Sequence, residues 1–265
     1  MTAKETKLLK FIANSSQFVI PIYQRTYSWT EQECFQLWQD ILRAGANEKI
    51  GAHFIGSVVY VQDGNYSVSA QSSLLVIDGQ QRLTTVTLLL AALSDLLDDD
   101  QEIIEDFSKK KLTGRYLIDP FESGDKKYKL ILSQTDKDTL IALIDKSKVN
   151  FPKDYSLRVK TNYEFFKKKL AENIDDLETI CKGIAKLLIV DISLDRQYDN
   201  PQLIFESMNS TGKELTQADL IRNYILMGLE HDLQSRLYEE YWRPMELDFG
   251  QEAYQAYFDA FMRHY

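Results

Sequence analysis

Five consecutive residues, Asp78-Gly79-Gln80-Gln81-Arg82, concentrate the groups in this sequence best suited to chemistry. Leu74 to Ile77 before them form a short apolar run of strand character. Leu83, Val86, Leu89, Leu90 and Leu93 behind them recur at helical spacing. The polar cluster therefore falls where a strand ends and a helix begins. Backbone N–H groups and the helix dipole favour an anion there. Gly79 lets a ligand come close to the backbone, and Arg82 adds a planar, permanently charged fork suited to phosphate. A plainer reading stands beside this one. Asp78 would be an N-cap, Gln81 would close a capping box, and Arg82 would be a surface or salt-bridged residue.

A second cluster lies in Phe205-Glu206-Ser207-Met208-Asn209-Ser210-Thr211-Gly212-Lys213-Glu214-Leu215. Asn209, Ser210 and Thr211 offer short hydrogen-bonding side chains, Gly212 permits a left-handed turn, and Lys213 supplies a cation. The Gly-x4-Gly-Lys-Ser/Thr pattern of a Walker A loop is absent, and a plain connector between helices is the alternative. Asp219, Arg222 and Asn223 give the following helix a polar face, opposite an apolar face of Leu220, Ile221, Tyr224, Ile225 and Leu226. A third cluster, Tyr23-Gln24-Arg25, sits in the polar and aromatic run up to Trp29. Its aromatics are either packing residues at a helix entry or the wall of a cleft into which Gln24 and Arg25 project.

Several elements must position these groups. Residues 7–14 predict a short amphipathic helix, and Phe18 to Ile22 an extended segment, since Pro21 biases its predecessor toward β. Thr30 and Glu33 form a capping box ahead of a helix with Phe35, Leu37, Trp38, Ile41 and Leu42 on its core face. Phe54 to Val61 is β-branched and predicts a strand, with His53 a turn or surface residue before it. Asp63-Gly64-Asn65 predicts a turn, and Tyr66-Ser67-Val68 with Leu74 to Ile77 completes a small antiparallel meander. Further on, Tyr128 to Leu132 predicts a short strand. Thr135 and Asp138 cap a helix bearing Leu140, Ile141, Leu143 and Ile144. Leu157 to Leu170 predicts a helix with Tyr163, Phe166 and Leu170 inward. Leu177 to Ile184 is helical and Leu187 to Leu194 a strand. Pro201 opens a helix at its first position, Thr216 caps the next, and helix from Leu233 to Trp242 breaks at Pro244. The last stretch, Gln251 to Tyr265, is helical without a stop signal, which suggests the front part of a longer protein. The lysine runs at 109–111, 126–129 and 167–169 read as solvated faces, with a DNA-facing surface as the alternative.

Composition bounds the classes. The chain has 265 residues, 44% of them hydrophobic, enough for a real core. A net charge of −9 argues against a surface coated for general nucleic-acid binding. Cys34 and Cys181 lack metal-type spacing and point to a reducing, cytoplasmic setting. No secretion signal or membrane-length apolar run is present, so no membrane partner is expected. The histidines, His53, His231 and His264, lie in no zinc-type arrangement.

Four blocks in order, IPIYQRTYSW (Ile20–Trp29), HFIGSVV (His53–Val59), VIDGQQRLTT (Val76–Thr85) and FESMNSTGKELTQADLIRNYIL (Phe205–Leu226), resemble the N-terminal domain of GmrSD-type restriction proteins. The resemblance implies a ParB/sulfiredoxin-like nucleotide-binding core with added helices. It implies that the DGQQR motif serves nucleoside triphosphate hydrolysis in bacterial defence against phage or other foreign DNA carrying modified bases. Some relatives read phosphorothioate-modified DNA, with the YQR segment implicated, which here is Tyr23-Gln24-Arg25. The family usually adds a His-Asn-His nuclease. This chain has no candidate for one, so the nuclease partner would lie in cis on a further segment or in trans.

On that resemblance the expected chemistry is hydrolysis of GTP or ATP with Mg²⁺. Arg82 and the N–H groups after Gly79 would hold phosphates, Asp78 would hold Mg²⁺ or orient water, and Gln80 or Gln81 would position the attacking water. Arg25, Gly79, Asn209, Thr211, Gly212 and Lys213 would bind nucleotide. Tyr23, Gln24 and Arg25 would sense DNA, and Glu206, Asp219, Arg222 and Asn223 would support the site. The alternative is a nucleotide-gated sensor of modified DNA without cleavage of its own. A homo-oligomer is compatible with either. The expected fold is α+β, a small mixed sheet surrounded by and interleaved with helices. Residues 1–97 and 185–230 would form the core, 98–184 a helical insertion, and 231–265 C-terminal helices leading to an effector.

Overall fold

A computed structural model describes residues 1–62, 73–147, 151–195, 198–209, 216–248 and 260–262, with the side chains of 206–209, 231, 247 and 248 set aside. The chain divides into two units, one of Met1–Ile20 with Thr26–Asp195, the other of Pro21–Arg25 with Arg196–Tyr265.

The first unit holds a mixed sheet. In chain order its strands are β1 (Thr2–Lys7), β2 (Phe18–Val19), β3 (His53–Gln62), β4 (Leu74–Asp78), β5 (Leu130–Ile131) and β6 (Leu187–Leu194). Their spatial order is β1-β6-β3-β4-β2-β5. β1 and β4 run antiparallel to β6 and β3 respectively, whereas β3–β6, β2–β4 and β2–β5 are parallel. This is the α+β fold expected. β1 was not expected, because TAKETK has no apolar face to bury. It is an exposed edge strand, and charged residues are how a sheet edge resists further pairing. The proposed strand at Tyr66-Ser67-Val68 and the turn before it lie outside the described residues.

Helices cover the sheet: α1 (Leu8–Asn14), α2 (Glu31–Ala46), α3 (Gln80–Leu96), α4 (Lys109–Leu112), α5 (Gln134–Ile144), α6 (Leu157–Glu172) and α7 (Leu177–Ala185). α3 is apolar on nearly every side and is the helix at the centre of the core, packed on α6. The Thr30–Glu33 capping box forms as expected and starts α2. Phe35 is a correction: it is exposed, off the stripe made by Cys34, Leu37, Trp38 and Ile41. α5 starts two residues earlier than expected, after Ser133, so Thr135 is not its cap. α2 and α7 cross closely at Gly45 and Gly183. A Cβ on Gly45 would lie 1.9 Å from the Thr179 carbonyl oxygen, and one on Gly183 would lie 2.1 Å from that of Ile41.

The second unit contains α8 (Pro201–Asn209), α9 (Gln217–Leu226), α10 (His231–Leu237) and α11 (Arg243–Asp248). Pro201 opens α8, and Thr216 with Asp219 forms a capping box on α9, as the sequence predicts. The chain does not break at Pro244. A π turn over Tyr238–Trp242 leads directly into α11, and Pro244 is the second residue of that helix. The faces of α9 are also corrected. Asp219, Arg222 and Asn223 are buried with Ala218 and Leu226, while Tyr224 and Ile225 are exposed. Among the described residues no helix is long and apolar enough to cross a membrane.

Candidate functional site at the start of α3

β4 ends at Asp78, and Gly79 turns the chain into α3 with φ of +94°. A side chain there would meet the Ser57 carbonyl oxygen of β3 at 2.8 Å, so the tight turn itself needs glycine. Gly79 is the N-cap residue and no side chain caps the helix. The capping-box reading of Asp78 and Gln81 is therefore not what forms. Asp78 pairs with Arg82 instead, Arg82 Nη2 donating to Asp78 Oδ2 at 3.0 Å and to the Ser57 carbonyl at 2.6 Å.

The guanidinium lies against Gly56, whose φ is +114°. A Cβ on Gly56 would stand 2.8 Å from Arg82 Nη1. β3 shifts register against β6 between Phe54 and Ser57, and this irregularity lays bare backbone for the guanidinium. Arg82 Nε is buried with no hydrogen-bond partner. Gly56 and Arg82 border a hollow of about 420 Å³, walled on its apolar side by Trp29, Phe54 and Val86. His53, Asp40 and Glu33 also line it. Both carboxylates are engaged locally: Glu33 accepts from the Thr30 N–H and hydroxyl, and Asp40 holds Arg43 and lies 3.4 Å from His53 Nε2. Sequence reasoning missed Gly56, Asp40 and His53. His53 is the first residue of β3, not a turn residue. A glycine inside a β-branched run was the available signal, because it marks a bulge or close approach.

Gln80 and Gln81 are both buried. Gln81 Oε1 accepts from the N–H groups of Ser28 and Trp29 at 2.9 and 3.2 Å, and its Nε2 donates to the Thr26 carbonyl. Three further side chains clamp the same segment. Asp136 accepts from the Tyr27 N–H at 2.6 Å, Thr85 bonds the Tyr27 hydroxyl at 2.7 Å, and Asn162 donates to that hydroxyl and to the Trp29 carbonyl. Burial, with Cys34 beside it, raises the Tyr27 phenol well above its ordinary value, so it stays neutral. Burial likewise holds both cysteine thiols at about 12, which keeps them inert.

In the second unit Tyr23 packs with Ala218, Leu226, Tyr238 and Trp242, and Gln24 is buried. Arg222 Nε donates to the Tyr23 carbonyl at 2.8 Å, and its other nitrogens pair with Asp219 and Glu246. Glu246 also accepts from Tyr238 and Trp242. Asp219 and Arg222 thus tie the Tyr23 turn to helices of its own unit, and Asn223 donates to the Asp219 carbonyl. Arg25 is half-buried. Thr211, Gly212 and Lys213 lie outside the described residues, as do the side chains of Glu206 and Asn209.

The family model for the GmrSD restriction endonuclease N-terminal domain matches residues 7–226. The chain belongs to this family. It is therefore a component of a modification-dependent restriction system. A search of curated protein sequences gives no match. The matched span contains Asp78–Arg82 and ends with α9.

The first unit fits an anionic oxygen better than it fits a metal alone. Among the described residues no group of three or more His, Cys, Asp or Glu side chains could hold a metal ion. Asp78 alone fits Mg²⁺, which commonly takes one or two carboxylates and completes its shell with phosphate oxygens and water. Arg82 keeps Nη1 beside the hollow and Nε without an acceptor, as a guanidinium awaiting an oxygen would.

Proposed function

We propose that this chain is the nucleoside-triphosphate-binding and hydrolysing module of its restriction system, acting on GTP or ATP with Mg²⁺. The observation that carries this reading is the Arg82 guanidinium laid on Gly56 at the rim of the hollow, its Nε buried without an acceptor. Arg82 would grip phosphate oxygens, and its bond to Asp78 would hold that carboxylate toward the same place. Bound Mg²⁺ would supply charge neutralisation at the phosphates, with Asp78 as its protein ligand. Gln80 is the glutamine assigned to position water. Gln81 serves by fixing the Thr26–Trp29 segment. Arg25, Asn209, Thr211, Gly212 and Lys213 are assigned to nucleotide binding on the family resemblance.

A second reading, a nucleotide-gated DNA sensor without turnover, is favoured by one observation. The side chain of Gln81 is committed to the backbone that continues directly from Tyr23–Arg25. A motif that grips this segment suits a switch as well as a hydrolase.

Phosphate release and thermal stability, measured with GTP and ATP plus Mg²⁺, separate the two. Hydrolysis with a rise in Tm supports the first. A ligand at 100 times its Kd stabilises by about 2.7 kcal/mol. A Tm rise without phosphate release supports the second. Arg82→Ala should lower turnover by roughly 100-fold or more, the scale of a lost charge-stabilising donor. Gly56→Ala keeps every polar group but pushes the guanidinium away and should share that loss. Equal turnover in wild type and both variants rules out the assignment.

A further inference from the structure

Lys160 stands apart from the other lysines of α6. Lys167, Lys168 and Lys169 all lie within 4.0 Å of a carboxylate. For Lys160 no carboxylate lies within that distance among the described residues. Its ammonium sits instead over the rings of Tyr155, at 4.6 Å, and Phe151, at 5.4 Å. Those rings meet edge to face at 5.4 Å, and both are exposed to solvent.

Tyr155 and Lys160 border an open groove of about 560 Å³ along α6, which Lys168, Lys169, Glu31 and Glu164 also line. α6 carries Arg158, Lys160, Lys167, Lys168 and Lys169 against Glu164 and Glu172, and of these cations Lys160, Lys168 and Lys169 line the groove. Exposed aromatic faces with a cation fixed beside them match a ligand that joins a flat π-system to an anion, which is a nucleotide. Glu31 and Glu164 can accept from the exocyclic amines of a base. A free nucleotide and a DNA strand share this chemistry. The groove lies open along α6 from Tyr155 to Lys169, which favours the strand, and the family acts in DNA restriction. Bases in an intact duplex hide their faces, so the matching strand presents an unstacked base.

We propose that the α6 groove binds a DNA strand through one unstacked base laid against Tyr155, which Phe151 backs edge to face, with a neighbouring phosphate on Lys160. This goes beyond the nucleotide reading at Arg82 and does not need it. The test is fluorescence anisotropy of the full chain with a labelled single-stranded oligonucleotide across a salt series. Intact duplex and free deoxynucleoside monophosphate serve as competitors, and Tyr155→Ala, Lys160→Gln and Arg82→Ala as variants. Tyr155 and Lys160 are partly exposed, so melting temperature checks that these variants stay folded. Tyr155→Ala should weaken single-strand binding at least about fivefold, the lower end of one lost base stack. Lys160→Gln should flatten the logarithmic salt slope by about 0.7, one phosphate contact on a single strand. Arg82→Ala should bind as wild type. Single-strand binding that neither substitution weakens overturns the proposal, as does its absence at low salt. Equal competition by duplex overturns the unstacked-base claim, and displacement by millimolar monophosphate assigns the groove to free nucleotide.

Discussion

Asp136 is a carboxylate placed among apolar neighbours, almost fully buried, with the Tyr27 N–H and Ser156 as its partners. Burial lifts its pKa from 3.8 to about 6, against the smaller opposing pull of those two bonds. A carboxyl that binds its proton more tightly folded than unfolded stabilises the fold most at low pH. That contribution declines as pH rises from about 4 to about 6 and is constant beyond. Asp145 works in the opposite sense. Burial raises its pKa, but bonds from Lys127, Ser147 and Tyr128 outweigh that and hold it well below the carboxylate range, so its contribution is full above about pH 4 and is lost progressively as pH falls below that. Asn at position 136 keeps an acceptor for the Tyr27 N–H without a charge to desolvate. Asp136→Asn should therefore match wild type in unfolding free energy near pH 4 and exceed it near pH 7.5, by on the order of 1–3 kcal/mol. Denaturant melts at the two pH values check this. A variant less stable than wild type at pH 7.5 would show that the ionised carboxylate is held for its hydrogen bonds, not tolerated at a cost.

At the scale of elements, the crossing of α2 and α7 depends on two missing side chains. With the Thr179 carbonyl 1.9 Å from where a Gly45 Cβ would sit, Gly45→Ala must push α7 off α2 and open the core around Ile41 and Ile184. Overpacking of this kind costs about 1–3 kcal/mol and more where backbone is the obstacle. Gly114→Ala, with nothing within 4 Å of its Cβ, is the control and should be neutral. Chemical denaturation of both variants decides; comparable stability would mean the helices separate freely. Neither glycine stands out in the sequence, where Gly45 reads only as a poor helix former. Most elements were legible because their signals are local: the Thr30–Glu33 and Thr216–Asp219 boxes, Pro201 at a first helical turn, the β-branched run of β3. The irregularity at Gly56 and the edge strand β1 depend on what lies across the sheet, and a single chain segment does not encode that in its own periodicity. The inward turn of Asp219, Arg222 and Asn223 was illegible for the same reason. Their burial is made tolerable by Glu246 and the Tyr23 carbonyl, which lie far away in sequence.

Over the whole molecule, charge is organised by pairing rather than by patch. Lys109 holds Asp99, Lys111 holds Glu102 and Asp106, and Arg115 shares Asp106, so two of the three lysines at 109–111 face acids from their own loop. Hydrogen bonds to these acids raise the pKa of Lys109 and Lys111, with the paired charges acting in the same direction. A cation already facing a carboxylate releases little counterion when it meets a phosphate, and the chain as a whole repels polyanions at net −9. The solvated-face reading of that run follows from this geometry, and it predicts a contrast within one protein. Replacing Lys109 and Lys111 together by Gln removes two positive charges, whereas Lys160→Gln removes one. If affinity for DNA followed net charge, the double variant would lose the more. Pairing predicts the reverse: the double variant should leave the single-strand dissociation constant and its salt slope nearly as in wild type and lower Tm slightly, since Asp99 and Glu102 lose their partners. Anisotropy titrations of the two variants at matched ionic strength make the comparison. A larger loss in the double variant would place the DNA-facing surface on α4 and its loop instead of on α6.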